Sequence, residues 1–440
     1  MKKVKLGSVL IEEKTKIGLP DGGGLDLIGV SNEYGLHTSR AQRIADLSRY
    51  KIIKIGWFAY NPMRVNVGSI GIAKEEEHVG IVSPDYVVFS CTDKIMPEYL
   101  LYFLRSDIGL EAIEKNASGA VRKRLYYSDL ARIELNVPSV EKQREILDSI
   151  SKINAIVSQI QDPNRLAQIS VLKQSILQEA IQGKLTAEWR AQMQEAGIET
   201  EPASELLKRI QAEKTRLIKE KKIKKEKPLP TITEEEKPFE LPEGWEWCRL
   251  GELGEINPRN QLDDLIEVSF IPMASISQEF GIKPNSDISR KWVEVKSGFT
   301  HFGEDDVAVA KITPCFENSK AAIFKNLTNG IGAGTTELHV FRNVTTSYLI
   351  TEIIYLVVKS PLFLKIGESK MTGTAGQKRI PLDFFKNWVI AFPPFEEQKA
   401  IIEKVESLMA KCQELEKEIT LSEQHAQMLM QAVLKEGFEG

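Results

Sequence analysis

Residues 119–150 read GAVRKRLYYSDLARIELNVPSVEKQREILDSI, and residues 374–405 read TAGQKRIPLDFFKNWVIAFPPFEEQKAIIEKV. The two stretches align without a gap at an offset of 255 positions. Identical residues recur at matched places: Lys123 and Lys378, Arg124 and Arg379, Pro138 and Pro393, Glu141 and Glu396, Gln143 and Gln398, Ile146 and Ile401. A repeat of this length is a duplicated domain followed by a helix, not a short stacking unit. It predicts a pseudo-twofold molecule with two similar heads.

The repeat extends beyond this stretch in both directions. Leu6-Gly7 matches Leu250-Gly251, and LQEAIQG at 177–183 matches LKEGFEG at 434–440. The offset drifts along the chain, which places the length changes in loops. The ordered framework is therefore expected to be the same in both copies.

Length and composition limit the classes of protein to consider. A chain of 440 residues with 42% apolar residues is expected to form two or three domains with separate cores. No apolar run reaches the length of a membrane span and no charged leader precedes the first strand-like segment, so we expect a cytoplasmic location and no membrane partner. The four dispersed cysteines predict reduced thiols. A net charge of −4 argues against general coating of nucleic acid but allows a local basic cleft.

Changes in pattern divide the chain into five segments. Short β-branched runs with glycine turns predict a mixed α/β head, in which 97–115 reads as one helix after Pro97. The predicted segments are a first head at 1–140, a first helical spacer at 141–198, a charged helical connector at 199–244, a second head at 245–395 and a second helical spacer at 396–440. The expected fold class is therefore α/β, with two similar mixed heads separated by two long antiparallel helices.

Heptad spacing in both spacers predicts a coiled coil. The seams are Ile146, Ile150, Ile153, Val157 and Ile160, then Leu166, Ile169, Leu172 and Ile176, and in the second copy Val405, Leu408, Cys412, Leu415 and Ile419. Asp162-Pro163-Asn164 should break or kink the first spacer, because proline cannot donate to the preceding turn. Antiparallel packing of the two spacers on each other is the simplest arrangement, while parallel packing and a homodimer stay open. The connector carries ten Lys or Arg residues from Lys208 to Lys227. This segment is interpreted either as a solvated helix or as a helix whose basic side chains contact phosphates.

The chain contains no recognisable catalytic motif. FPPF at 392–395 resembles the loop of amino-group DNA methyltransferases, but Phe392 cannot accept the hydrogen bonds that the first residue of that loop must accept. Neither Pro-Asp pair is followed by the acid-x-Lys of a nuclease metal site, the five histidines lack ligand spacing, and GIGAG at 330–334 does not precede a helix. We therefore expect no catalysis and no cofactor in this chain.

Many segments, in the right order along essentially the whole chain, resemble the specificity subunit of type I restriction-modification systems. They are AYNPMRVNVGSIGIA (59–73), SILQEAIQGKLTAEWR (175–190), AKITPCFENSKAAIF (310–324), GAGTTELHVFR (332–342), GTAGQKRIP (373–381) and PPFEEQKAI (393–401). The resemblance implies that the two heads are target-recognition domains, each reading one half of a bipartite site on double-stranded DNA. It implies that the helices set the spacer and dock two modification subunits, which bind S-adenosylmethionine. Two restriction subunits, which translocate and cleave, would then join.

Candidate DNA-binding residues follow from this resemblance and from the side chains that read base edges. They are Asn61, Arg64, Asn66, Ser69, Arg122, Lys123 and Arg124 in the first head, and Lys311, Thr313, Asn318, Lys320, Thr335, Thr336, Gln377, Lys378 and Arg379 in the second. Residues shared by the two copies should hold structure or contact phosphates, since the halves are expected to read different bases. Positions at which the two copies carry different residues, such as Arg64 in the first and Phe316 in the second, are better candidates for base reading.

Two other classes of protein remain to be distinguished. The chain could be a non-catalytic coiled-coil scaffold with two protein-binding heads. It could also be a self-sufficient methyltransferase or nuclease, although that reading lacks a catalytic motif.

Overall fold

A computed structural model describes residues 3–39, 46–119, 123–160, 163–284, 288–374 and 376–439. The chain divides into two compact units: unit 1 consists of Met1–Pro163 and Glu418–Gly440, and unit 2 of Asn164–Lys417. Each unit therefore contains one head and parts of the long helices. The five predicted segment boundaries stay predictions.

The described residues of unit 1 form ten strands and four helices, in addition to the end of the last helix of the chain. The strands are β1 (Lys3–Lys5), β2 (Leu10–Glu12), β3 (Ile28–Ser31), β4 (Gly35–Thr38), β5 (Lys51–Ile53), β6 (Phe58–Tyr60), β7 (Ile70–Ile72), β8 (Gly80–Val82), β9 (Val87–Cys91) and β10 (Glu134–Asn136). The helices are α1 (Pro97–Arg105), α2 (Asp107–Asn116), α3 (Tyr127–Leu130) and α4 (Val140–Ile160).

The central sheet of unit 1 has the order β2-β9-β6-β7 and is antiparallel throughout. Its inner face is aromatic, with Phe58 and Phe89 stacked at 4.7 Å between ring centroids. Strands β3-β4 and β5-β8 form two further pairs, which a parallel bridge between Leu27 and Ile81 connects. Strand β1 pairs with β10, which immediately precedes α4.

The prediction of one helix over 97–115 is wrong, because α1 and α2 are separate. Ser106 lies between them with an extended backbone. Its hydroxyl donates to the Phe103 carbonyl at 2.7 Å and accepts from the Gly109 N–H at 3.2 Å. A serine side chain that satisfies backbone groups in this way ends one helix and caps the next.

Unit 2 contains the remaining elements. The strands are β11 (Glu246–Arg249), β12 (Gly254–Ile256), β13 (Glu267–Ile271), β14 (Ser289–Lys291), β15 (Thr300–Gly303), β16 (Val307–Ala310), β17 (Ala321–Ile323), β18 (Ile331–Gly334), β19 (Leu338–Asn343) and β20 (Val389–Phe392). The helices are α5 (Pro163–Ile181), α6 (Ala187–Glu195), α7 (Ala203–Lys219), α8 (Leu250–Leu253), α9 (Trp292–Val295), α10 (Tyr348–Lys359), α11 (Pro361–Lys370), α12 (Leu382–Asn387) and α13 (Phe395–Glu439). Helix α13 passes from unit 2 into unit 1 at residue 418.

The sheets of unit 2 repeat those of unit 1. The central sheet has the order β12-β19-β16-β17, and β11 pairs with β20 just before α13. The second sheet, β14-β13-β18-β15, contains one parallel pair, β13 with β18. Each strand of unit 2 has the same place in its sheet as the strand of unit 1 whose number is ten lower. In unit 1, the bridge between Leu27 and Ile81 takes the place of the parallel pair of β13 and β18. The predicted mixed α/β class and the duplication are therefore confirmed.

The long helices pack within the chain, as predicted. In unit 2, the Lys173 ammonium lies 2.6 Å from Glu416, and Thr186, which follows α5, donates to Glu397 at 2.6 Å. Residue numbers rise along α5 while they fall along α13, so these segments are antiparallel. In unit 1, Ile146 of α4 packs close to Gly437 of α13.

The predicted seams are confirmed in part. Ile150 of α4, Ile169 and Ile176 of α5, and Val405 and Cys412 of α13 are buried. Leu166, Leu172 and Leu415 are exposed, so their assignment to the seam is wrong. The structure describes α4 up to Ile160 and α5 from Pro163, and the predicted break at Asp162 falls on residues 161–162, which lie outside the described residues. The buried residues of α5 are Ile169 and Ile176 of the predicted seam together with Leu177 and Ala180.

The connector is part of the core of unit 2 rather than a solvated rod. Leu206, Leu207 and Ile210 of α7 are buried in the same cluster as the second head. Helix α7 ends at Lys219, and the charged run continues for eight more residues to Lys227. No apolar residue in 220–227 is buried. In the segment that follows α7, the Pro230 carbonyl accepts from the Arg249 guanidinium at 2.6 Å, and Glu236 forms an ion pair with the same guanidinium at 2.8 Å.

No helix among the described residues has the length and apolar character of a membrane span.

Candidate nucleic-acid interface

The first group of predicted DNA-binding residues lies on the turn between β6 and β7. The Asn61 side chain accepts from the Met63 N–H at 3.0 Å, and the Asn61 carbonyl accepts from the Arg64 N–H at 3.0 Å. These bonds tighten the turn, and Arg64 and Asn66 are exposed on it. Ser69 is buried instead, with its hydroxyl donating to the Val30 carbonyl at 3.1 Å. Ser69 therefore belongs to the interior of the head.

The second group, Lys123 and Arg124, lies beside this turn. The Leu125 N–H donates to the Pro62 carbonyl at 3.1 Å, which joins the two chain segments. Lys123 forms an ion pair with Glu114, and the Arg124 guanidinium donates to the Tyr126 hydroxyl at 3.2 Å. Both basic side chains are thus oriented by neighbours of the same head. Arg122 lies outside the described residues.

Tyr86 is a neighbour of this turn that the sequence did not single out. Burial raises the pKa of its hydroxyl, while the positive charge of Arg64 and a hydrogen bond with Asn61 act in the opposite direction. The Tyr86 hydroxyl therefore lies close to the Asn61 and Arg64 side chains. Its sequence signal was weak, because DYVVFS reads only as a strand.

In unit 2 the predicted residues come from three segments that backbone hydrogen bonds join. The Lys311 N–H donates to the Glu337 carbonyl at 2.9 Å, and its carbonyl accepts from Ile380 at 2.8 Å. The Thr313 N–H donates to the Lys378 carbonyl at 3.0 Å. The loop 311–320 therefore lies next to 335–337 on one side and to 377–380 on the other.

Within this cluster some side chains are exposed and others are held by the protein. Asn318, Thr336, Gln377 and Lys378 are exposed. The Thr335 hydroxyl accepts from the Glu337 N–H at 3.2 Å, and the Lys320 ammonium donates to the Met273 carbonyl at 3.1 Å.

Arg379 is held by a two-pronged ion pair. Its Nε and Nη2 donate to the two carboxylate oxygens of Glu337, both at 2.8 Å. These bonds lower the pKa of Glu337. Charge-assisted bidentate pairs of this kind are strong and directional. Arg379 thus connects two segments of the cluster, which is a structural role suited to a residue shared by the two copies.

Two adjoining grooves extend this surface to the connector. The first, of about 270 Å³, is lined by Lys311 and Thr336 together with Asn257 and Arg259. The second, of about 520 Å³, shares Asn257 and Arg259 and is also lined by Lys221, Lys222 and Lys224. Together they form a trough in which cations outnumber carboxylates. We call it the basic trough and define it by Lys311, Arg259, Lys221, Lys222 and Lys224, and Glu226 and Glu255 also line it. Sequence reasoning missed Asn257 and Arg259, because a lone Asn-Pro-Arg resembles an ordinary turn.

Within the part of the chain that the structure describes, no group of three or more His, Cys, Asp or Glu side chains could hold a metal ion.

Comparisons with known proteins add an independent observation. A model of the type I restriction modification DNA specificity domain matches residues 47–170 and 242–422. The specificity subunit of the type I restriction enzyme EcoAI from Escherichia coli is 52% identical over 267 residues, which cover 60% of this chain and 44% of that protein. The EcoEI specificity subunit from Escherichia coli is 51% identical over 267 residues, which cover 60% of this chain and 43% of that protein. The aligned region thus spans a little under half the length of these relatives.

Solved structures share the fold. The HsdS subunit from Thermoanaerobacter tengcongensis has a TM-score of 0.57 and 17% identity, over 100% of this chain and 96% of that one. A chain from a study of the assembly and conformational transition of the type I R-M system has a TM-score of 0.61 and 15% identity, over 99% and 97% of the two chains. These two structures show the fold alone. The match of the family model to residues 47–170 and 242–422, well over half of the chain, shows that the chain belongs to the type I restriction modification DNA specificity family.

Proposed function

We propose that this chain is the sequence-reading subunit of a type I restriction-modification complex, and that each head reads one half of a bipartite site on double-stranded DNA. The observation that carries the proposal is the duplicated loop cluster. Two heads with the same strand order each present polar and basic side chains on loops that backbone hydrogen bonds fix in place. Loops placed in this way suit the reading of base edges, while lysines and arginines around them suit phosphate contacts.

The chemistry of the complex then belongs to its partners. In this proposal the chain is not itself an enzyme and acts in the cytoplasm. Two modification subunits bind S-adenosylmethionine and methylate the DNA, and two restriction subunits join them. The long helices dock the modification subunits and set the distance between the two half-sites.

The test is selection from a pool of random duplexes by the full chain with its modification subunits. We expect enrichment of one bipartite sequence with a fixed spacer, and methylated adenines at that sequence in the host genome. A protein-binding scaffold would enrich no sequence. A self-sufficient methyltransferase would transfer labelled methyl groups without any partner.

Arg64 tests the assignment of one head to one half-site. Replacement of Arg64 by alanine is expected to relax base preference at one or two positions of a single half-site, with a loss of about 1–3 kcal/mol in discrimination. The measurement is competition binding with duplexes altered one base pair at a time. Lys115→Ala, an exposed lysine on α2 outside the turn, is the control. An equal loss on every sequence would make Arg64 a phosphate contact.

The basic trough predicts a phosphate track beside the second head. Each lysine that neutralises a phosphate contributes about 0.9 to the slope of log affinity against log salt. The double replacement Lys221→Gln and Lys224→Gln is therefore expected to reduce that slope by about 1.8 without changing base preference. Lys208→Gln with Lys227→Gln is the matched control, because these connector lysines do not line the trough. Equal slopes in both double variants would assign the connector lysines to solvent.

A further inference from the structure

A buried lysine lies behind the loop cluster of the second head. Lys359, at the end of α10, is 1% exposed. Its ammonium donates to the Ser319 carbonyl at 2.6 Å and to the Gln278 carbonyl at 3.0 Å. The carbonyls of Ser277 and Glu279 lie at 3.4 Å. Four backbone oxygens from two separate loops thus surround one positive charge.

The first head has a partly buried cation at the equivalent position. Arg105 ends α1 as Lys359 ends α10, and each is followed by a serine that caps the next helix. Ser106 and Ser360 make the same two bonds: each hydroxyl donates to a carbonyl three residues earlier at 2.7 Å, and each accepts from an N–H three residues later. The next helices, α2 and α11, are both ten residues long. Arg105 and Lys359 are therefore structural counterparts.

Both cations bind the same part of the head. Nη2 of Arg105 donates to the Ile70 carbonyl at 2.6 Å, where the turn carrying Asn61, Arg64 and Asn66 enters β7. Lys359 binds the Ser319 carbonyl, where the loop 311–320 enters β17. In each head a cation at the end of a helix, buried in the second head and partly buried in the first, thus binds the end of the loop that carries the predicted base readers.

The bond to Ser319 also holds an unusual backbone conformation. Ser319 has φ +56°, in the left-handed region that residues other than glycine rarely adopt. Such a conformation persists only where surrounding contacts impose it. The neighbours of Ser319 include Asn318, which is exposed, and Lys320, whose ammonium binds the Met273 carbonyl. The position of these side chains therefore depends on the contact with Lys359.

We propose that Lys359 and Arg105 are positioning residues for DNA recognition, each setting the conformation of the base-reading loop of its own head. The inference rests on the proposed function, because it assigns the loops 61–69 and 311–320 to base reading. Neither cation touches DNA in this proposal. Each acts through the carbonyl that it binds, so its loss should affect one half-site and leave the other unchanged.

The contact between the cation and the loop carbonyls responds differently to pH in the two heads. Burial lowers the pKa of Lys359 to about 7, and the charge of Glu279 acts in the opposite direction. Tyr355, on the same helix, also lies beside it, with its ring centroid 5.7 Å from the ammonium. Below pH 7 the ammonium has three N–H donors for four carbonyls, whereas above pH 7 the neutral amine has two. An arginine does not lose its proton in this range.

The experiment compares variants of the full chain, with its modification subunits, on duplexes selected from a random pool. Each duplex is paired with versions in which the first or the second half-site is scrambled. Lys359→Met should reduce discrimination at the second half-site at least tenfold, with unchanged discrimination at the first half and unchanged affinity for scrambled DNA. Arg105→Met should have the reverse pattern.

The pH profile separates positioning from a general loss of structure. In the wild type, discrimination at the second half-site should fall as pH rises from 6 to 8.5, while discrimination at the first should stay level. Lys359→Arg should keep full discrimination and lose that pH dependence. Equal losses at both half-sites, full discrimination in Lys359→Met, or an unchanged pH profile in Lys359→Arg would each overturn the inference. A wild type that selects no bipartite sequence would instead overturn the proposed function.

Discussion

Replacement of Glu397 by alanine is expected to lower the free energy of unfolding of unit 2 by about 3–5 kcal/mol. The Glu397 carboxylate is 1% exposed and lies in the first turn of α13. It accepts from the Trp245 indole at 2.7 Å and from the Thr186 hydroxyl at 2.6 Å, and it pairs with Arg190. Its removal leaves the Trp245 indole N–H without this acceptor and the Arg190 guanidinium without its counter-charge, although Arg190 keeps its bond to the Gly183 carbonyl. Buried donors and charges that lose their partner cost more than the bonds themselves contribute.

Unfolding in urea, followed by tryptophan fluorescence, measures this effect. Five of the six tryptophans belong to unit 2, so the fluorescence reports mainly on that unit. Lys142→Ala is the matched control, because Lys142 occupies the corresponding place in the repeat and is exposed. Glu397→Gln should lose less than the alanine variant, since the amide oxygen still accepts one bond. A loss below about 1 kcal/mol in Glu397→Ala would contradict the prediction, because that is the contribution of a single ordinary hydrogen bond.

The repeat that the sequence shows marks positions that have a structural role in both copies. Gln143 and Gln398 recur near the starts of α4 and α13, and both side chains are fully buried. The Gln143 amide donates to the Lys94 and Pro138 carbonyls at 2.9 Å, while its oxygen accepts from the Met96 N–H at 2.7 Å. Gln398 donates to the Pro393 carbonyl at 3.0 Å. Local spacing is enough to find such residues, because each one closes the turn in front of its own helix.

Contacts between distant segments could not be predicted from the sequence. Glu397 and Trp245 are 152 positions apart, and no periodicity connects them. Lys359 ends an apolar helix, where a lysine ordinarily reaches solvent, and its burial depends on loops 40 and 82 residues away. Ser69 was assigned to DNA contact by its place in a polar turn, yet its hydroxyl binds Val30. In each case the deciding partner lies on another element, so tertiary packing overrides the local pattern.

The end of α13 provides the second large effect. Phe438 is 3% exposed in the core of unit 1, with its ring centroid 5.1 Å from that of Tyr99 and 5.5 Å from that of Phe103. The Tyr99 hydroxyl donates to the Gly437 carbonyl at 3.2 Å, and the Asn136 amide donates to the Phe438 carbonyl at 3.2 Å. Aromatic packing and hydrogen bonds thus attach the last turn of α13 to the first head.

Phe438→Ala is expected to destabilise unit 1 by about 3–5 kcal/mol, the usual cost of removing a buried phenylalanine from a packed core. Hydrogen exchange of peptides from 97–105 should speed up in proportion, while peptides from α10 in unit 2 keep their protection. Met428→Ala is the control on the same helix, because Met428 is 61% exposed. If exchange in α1 did not change, the ring would contribute little to the core. If instead α1 loses protection, discrimination at the first half-site should weaken with it, because Arg105 at the end of α1 holds the loop of that head through Ile70.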